Sequence, residues 1–238
     1  MLESQFLCLA VSRRDGGNCI AGIDLDSEKW IRPVRASNRG ALGDHEIVVR
    51  DAVTQELRIL APLDVLHLRL AGRVASRVQP ENFELATQPH GDVYHVLRRF
   101  DARLDRKMLD SRVDKNGPLL HSYSDRIRAD DPQLMHGLSH TLSIVEPQQL
   151  HWRVAPHPIY PRKLKVQADF RHDGAPYCLV VTDPTWEERC RHVIAGRHSH
   201  AAIAGEEHEQ VLLTISLAEV PLHGYHFKLV VAVIHLPA

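Results

Sequence analysis

Residues Phe6 to Val34 read FLCLAVSRRDGGNCIAGIDLDSEKWIRPV, and they settle the class of fold. Phe6 to Val11 is a short apolar run and SRRDGGN is a turn with two glycines. Cys19 to Asp24 and Trp30 to Val34 are two further strand-length runs joined through LDSEK. Three short strands with tight connections form a meander, whereas a parallel α/β sheet would need a helix between most strands. In the last run Trp30, Arg32 and Val34 share one face of the strand, and Ile31 and Pro33 share the other. An aromatic plate beside a fixed cation is a surface for stacking a base and holding a phosphate. It is equally a barrel-filling Trp with a structural Arg paired to a buried acid such as Asp183.

Working outward, Ile47 to Val53 and Glu56 to Leu60 suit a hairpin around Thr54-Gln55, and DVLHLRL after Pro62 alternates with Leu66, Leu68 and Leu70 on one face. The period then changes. Val93, Leu97, Phe100, Leu104 and Met108 recur at helical spacing, which predicts a helix from about Asp92 to Ser111 with Asp92 as its cap. Residues 97 to 128 hold nine basic groups against five Asp, read either as a solvated face of alternating ion pairs or as a phosphate-contacting patch. From Leu138 the strands return as SHTLSIV, LHWRV, KLKVQADF and PYCLVV, the last two flanking the hairpin turn RHDGA. In VTDPTWEER a strand ends at Thr182, Asp183 caps a helix and Pro184 takes its first position. The closing segment VLLTISLAEVPLHGYHFKLVVAVIHL reads as a hairpin of two long strands.

This pattern predicts a mainly β chain with a few helices, arranged as two OB-like five-stranded β-barrels in tandem. The first barrel, with a helical insert, is expected over 1–135 and the second over 136–238, although no internal sequence repeat is visible. The 238 residues are 44% hydrophobic and 25% charged, an ordinary globular balance. Lys plus Arg number 29 and Asp plus Glu 30, so the whole chain exerts no field that draws in a polyanion and any basic site must be local. The four Cys form no CxxC pair, the amino end is not signal-like and no apolar run reaches the roughly 18 to 20 residues of a membrane span. A cytoplasmic protein with reduced thiols is therefore expected, without membrane association.

The motifs SRRDGGNCIAGID and KWIRPV, then QPEN at Gln79 to Asn82, VTDP at Val181 to Pro184 and SLAEVPLHGYHFKLVVAVI at the carboxyl end together resemble the prokaryotic dual OB-containing (DuOB) domain family over nearly the full length. The resemblance implies a tandem pair of OB-type barrels of a kind found in bacterial conflict and defence systems, acting on or sensing nucleic acid, with a protein partner encoded nearby as a further expectation. It carries no assigned catalytic residues. The family's motif positions correspond to Ser12, Gly22, Trp30, Arg32, Pro33, Gln79, Asn82, Thr182, Asp183, Ser216 and Lys228. Ala218 stands where the pattern has Gly, and Arg35 where it has Ser.

The leading expectation is a nucleic-acid-binding or nucleotide-sensing protein without cofactor. Trp30, Arg32, Arg35, Arg39 and Lys228 are its candidate contacts with a single strand, in a groove at the barrel junction. Ser12, Gln79, Asn82, Thr182 and Ser216 are groove or structural motif positions, with Ser216 expected to face Lys228 across the last hairpin. The rival readings are a metal-dependent nucleic-acid-processing enzyme using Asp183 with Glu187, Glu81 or a histidine, and a protein-interaction module docking through the Arg-rich helix. Cys190, His192, His198, His200 and His208 are ligand types for zinc, but their spacing matches no ordinary zinc motif. No phosphate-binding glycine loop or nucleophile elbow occurs.

Overall fold

A computed structural model describes residues 2–14, 17–38, 40–87, 93–160, 163–205 and 210–236, with the backbone alone at Met135. The described chain is mainly β with four α-helices and divides into two compact units, 1–111 with 138–140, and 112–137 with 141–238.

The first unit holds β1 (Leu2–Arg14), β2 (Gly17–Asp24), β3 (Trp30–Val34), β4 (Val48–Arg50), β5 (Leu57–Ile59), β6 (Asp64–Arg73), β7 (Asn82–Leu85) and β8 (Tyr94–Arg99). The meander read from the amino end is present as β1–β2–β3, all antiparallel. β3 runs parallel to β7, β7 antiparallel to β6, and β6 pairs back onto β1, so five strands close into a barrel. Pairing continues from β6 through β8 and β4 to β5. Phe6, Val11, Ile20, Ile31, Leu66, Leu68 and Leu70 are among the side chains that fill the core. Gly22 lies opposite Cys8 beside a bulge in β1, where a Cβ would overlap the Leu7 carbonyl oxygen and press on the Phe6 ring, so glycine is required by close approach.

The helix expected over Asp92–Ser111 is replaced by a strand followed by a shorter helix, α1 (Ala102–Arg112). Tyr94 and Val96 are buried while His95 and Leu97 face solvent, a period of two that suits pairing with β6 and β4. Leu104, assigned to the apolar stripe, is 66% exposed. The helix starts at Ala102, and the side chain of Asp101 before it accepts from Arg103 N, while the predicted cap Asp92 lies outside the described residues. The charge-rich stretch pairs largely with itself: Arg98 grips Asp105 with two nitrogens, and Arg106 pairs with Asp110. Arg126 pairs with Asp125 and Arg128 with Asp130.

The second unit holds β9 (Val113–Asp114), β10 (Arg126–Arg128), α2 (Pro132–Met135), β11 (Leu142–Val145), β12 (Gln148–Pro156), β13 (Leu164–His172), β14 (Ala175–Val181), α3 (Pro184–Cys190), β15 (Gly196–Ser199), α4 (His200–Ala204), β16 (Gln210–Leu217) and β17 (Tyr225–Leu236). Segment 112–137 groups with this unit because β9 pairs with β11 and β10 with β17. The path β12–β13–β14–β17–β16 repeats the order of β1–β2–β3–β7–β6, with the same parallel step between its third and fourth members. The expectation of two closed barrels needs correction here. Among the described residues β12 does not return to β16; β12 pairs with β15 and β16 with β11, so the second sheet is open. The turn in RHDGA forms as read, with Asp173 and Gly174 both at positive φ, the conformation of a two-residue hairpin that twists with its strands.

Candidate nucleic-acid interface

The sequence-nominated contacts at the amino end lie in and around the first barrel. Arg32 is 1% exposed, and its guanidinium pairs with Glu81 at 2.8 Å rather than with Asp183; Arg32 N also donates to the Glu81 carbonyl. It is thus an internal clamp between β3 and the segment entering β7, sealed from any polymer at the surface. Asn82 Nδ2 donates to Gln79 Oε1 at 3.5 Å, both side chains buried, and Ser12 is buried on β1. Trp30 is half-buried at the start of β3. Arg35, also half-buried, is held by Glu46 and Glu84 and by the Leu85 and Ala86 carbonyls, so its charge is already answered within the chain. Arg39 lies outside the described residues.

The carboxyl-terminal nominees also make contacts within the chain. Asp183 caps α3 by accepting from Thr185 N and Trp186 N, and its other oxygen accepts from Val233 N on β17. Burial pushes its carboxyl above the usual range against those three donors, and it is 4% exposed with both oxygens engaged by backbone N–H groups. Glu187 sits in the first turn of α3, where a negative charge is favoured. Thr182 donates through its N–H and hydroxyl to the Val230 carbonyl. Lys228 is 1% exposed, with its Nζ donating to the Ser122 and Ser124 carbonyls, so it straps a loop to β17 and does not reach a phosphate at the surface. Burial pushes its ammonium down to about 7, opposed by Asp125. Ser216 pairs across the hairpin with Leu229, while Lys228 faces Leu217, so the two do not meet as expected.

The candidate zinc ligands do not gather into a metal site among the described residues. Cys190 is buried on α3 with its thiol pushed up to about 11, His198 Nε2 contacts the Ile194 carbonyl and His192 is exposed. His200 lies against Trp186 and His235, its Nε2 being 3.1 Å from His235 Nε2. His208 lies outside the described residues. Among those described, no group of three or more His, Cys, Asp or Glu could hold a metal ion.

What the sequence reading missed is an exposed cationic face on β15–β12–β13–β14. Arg197, Arg153, Gln167 and Val180 lie opposite one another across the four strands; Ser199, His151, Asp169 and Cys178 form the next row. The intervening positions Trp152, Ala168 and Leu179 are buried beneath, so the alternation of LHWRV and KLKVQADF turns their polar side chains outward. The Arg153 and Arg197 side chains are 59% and 60% exposed. Arg153 Nε donates to Asp169 Oδ2, and Arg197 Nε lies 3.8 Å from the same oxygen. Arg171 donates to the Gly174 carbonyl at the hairpin turn. Together with Gln149 and Cys178 these residues border a cleft of about 460 Å³. Burial, then a hydrogen bond to Asp169, pushes the Cys178 thiol up to about 11, so it stays protonated beside that carboxylate. At the β12–β13 tip Ile159 and Tyr160 are 73% and 56% exposed, with Lys163 Nζ 5.2 Å from the Tyr160 ring centre.

The first unit has no such face on its matching strands: Phe6–Val11 of β1, Ile20–Ile23 of β2 and Ile31–Val34 of β3 are buried. No described helix is long and apolar enough to cross a membrane. No curated protein and no solved structure matches the chain. A family model described as the dual OB-containing domain matches residues 4–233, nearly the whole length and both units. With one barrel closed in the five-stranded manner and its strand order repeated in the second sheet, the chain belongs to the dual OB-containing domain family.

Proposed function

We propose that the protein binds single-stranded nucleic acid on the exposed face of β15–β12–β13–β14, with the β12–β13 tip as a stacking edge. The observation that carries this reading is the pairing of Arg153 and Arg197 with a single carboxylate, Asp169, in a cleft that Arg171 also lines. In OB barrels the second and third strands and the loop joining the first two contact oligonucleotides, and β12, β13 and β14 hold the first three places in that strand order. Guanidinium groups follow a phosphate backbone without reading its sequence, and an exposed ring such as Tyr160 supplies a stacking plate for any base.

The test is fluorescence anisotropy of a labelled oligonucleotide titrated with protein between 50 and 200 mM salt. Affinity falls log-linearly with salt, and Arg197→Ala weakens it while reducing the slope by about 0.7, the share of one single-strand phosphate contact. Tyr160→Ala costs about 1 to 3 kcal/mol of binding with the slope unchanged. Wild-type protein that fails to retain any oligonucleotide at low salt would remove the reading.

A further inference from the structure

The lining of the cleft on the exposed face carries more positive than negative charge. Its lining includes three guanidiniums, Arg153, Arg171 and Arg197, and one carboxylate, Asp169; three positive charges less one negative leave two positive. Asp169 is shared by Arg153 and Arg197, while Arg171 has a neutral carbonyl as its partner. Arg153 and Arg197 are also direct cross-strand partners, an arrangement in which like charges destabilise a sheet. Their terminal nitrogens form no hydrogen bond among the described residues and point from side chains more than half exposed.

We infer that this cleft takes a phosphomonoester dianion, the terminal phosphate of a nucleic-acid strand, in preference to an internal phosphodiester. This rests on the reading of the face as a nucleic-acid surface and adds which part of the strand it holds. An internal phosphodiester carries one negative charge and would leave the cleft charged. A phosphomonoester carries about −1.5 to −2 at pH 7, with a second pKa near 6, and matches the deficit. It also offers three terminal oxygens to two guanidinium forks, whose geometry suits bidentate phosphate contacts. A free nucleoside monophosphate or inorganic phosphate presents the same chemistry, so the test has to separate the sources.

Anisotropy at pH 7.5 compares a labelled oligothymidylate bearing a 5′-phosphate, one bearing a 3′-phosphate and one with both ends as hydroxyls. Thymidine monophosphate and inorganic phosphate serve as competitors, and calorimetry measures each of them alone. A phosphorylated end binds about tenfold tighter, the scale of one added charge-assisted hydrogen bond. The preference shrinks below about pH 6 as the phosphate loses its second charge. In Arg171→Gln and in Arg197→Gln, two exposed positions whose folding is checked by circular dichroism, the preference disappears while weaker binding of the hydroxyl strand persists. Competition by thymidine monophosphate or phosphate at equal affinity upholds the dianion site and assigns it to a free ligand. Equal binding of all three strands overturns the dianion site and leaves strand binding standing. A protein that binds no strand but still takes up phosphate in the calorimeter overturns strand binding and the strand as the source of the phosphate, and leaves only the dianion site; one that takes up neither overturns both.

Discussion

Arg32 and Lys228 show how burial changes what a cation does. Both stand in motifs that suggested phosphate contact, and both are 1% exposed. With Arg32 gone, Glu81 is left as a buried charge without its salt bridge, so Arg32→Met is expected to cost about 3 to 5 kcal/mol in a urea melt. The paired change Arg32→Met with Glu81→Leu should recover much of that loss, which a partner-independent role for Arg32 would not allow. Lys228 makes a pH signature. In the unfolded chain its ammonium keeps a proton up to its ordinary 10.5, and in the folded chain only to about 7. Between these values the unfolded state binds more protons, so this group makes stability rise with pH from about 7 towards 10 and contributes no slope below 7. The difference in melting temperature between wild type and Lys228→Met, followed from pH 6 to 10, should show that window; a constant offset would contradict it.

At the level of strands and helices, local chemistry was readable wherever a turn or cap depends on a few adjacent residues. The Asp-Gly hairpin turn, the alternation of DVLHLRL and the cap at Asp183 formed where the residues indicated. The segment after Val93 did not, because its spacing fits both a helical stripe and a strand leading into a helix; pairing with β4 and β6 settled it as strand up to Arg99. Asp183 also ties α3 to β17, a contact 50 residues away in sequence. Asp183→Ala removes the acceptor for three backbone donors and should cost about 2 to 4 kcal/mol by denaturant titration. Asp183→Asn, which keeps one accepting oxygen, should cost less.

For the molecule taken whole, opposite charges almost cancel, with 29 basic and 30 acidic side chains. A strand approaching from a distance meets little net field, so salt acts mainly on the bound state. Stopped-flow measurements between 50 and 200 mM salt should show association changing by less than about tenfold and dissociation carrying most of the loss in affinity. The strand order supports the same distribution of roles: the first unit closes its five strands with β1 buried along Phe6–Val11, whereas the second stays open with its cationic face in solvent. Trp30→Ala is accordingly expected to leave oligonucleotide affinity unchanged, because the proposed contacts all lie on β12, β13, β15 and the β12–β13 tip.

The amino-acid order established the β-rich class, the family, the Asp-Gly turn and the cap at Asp183, since each depends on side chains close together along the chain. It could not establish which cations remain in water. That depends on which strands become neighbours: β12 acquires β15 as its partner more than 40 residues downstream, placing Arg197 beside Arg153 and both over Asp169. Arg32 meets Glu81 across 49 positions and is enclosed. An arginine carries the same charge in either setting, and long-range pairing of strands decides whether a carboxylate of the chain or an anion from solution answers it.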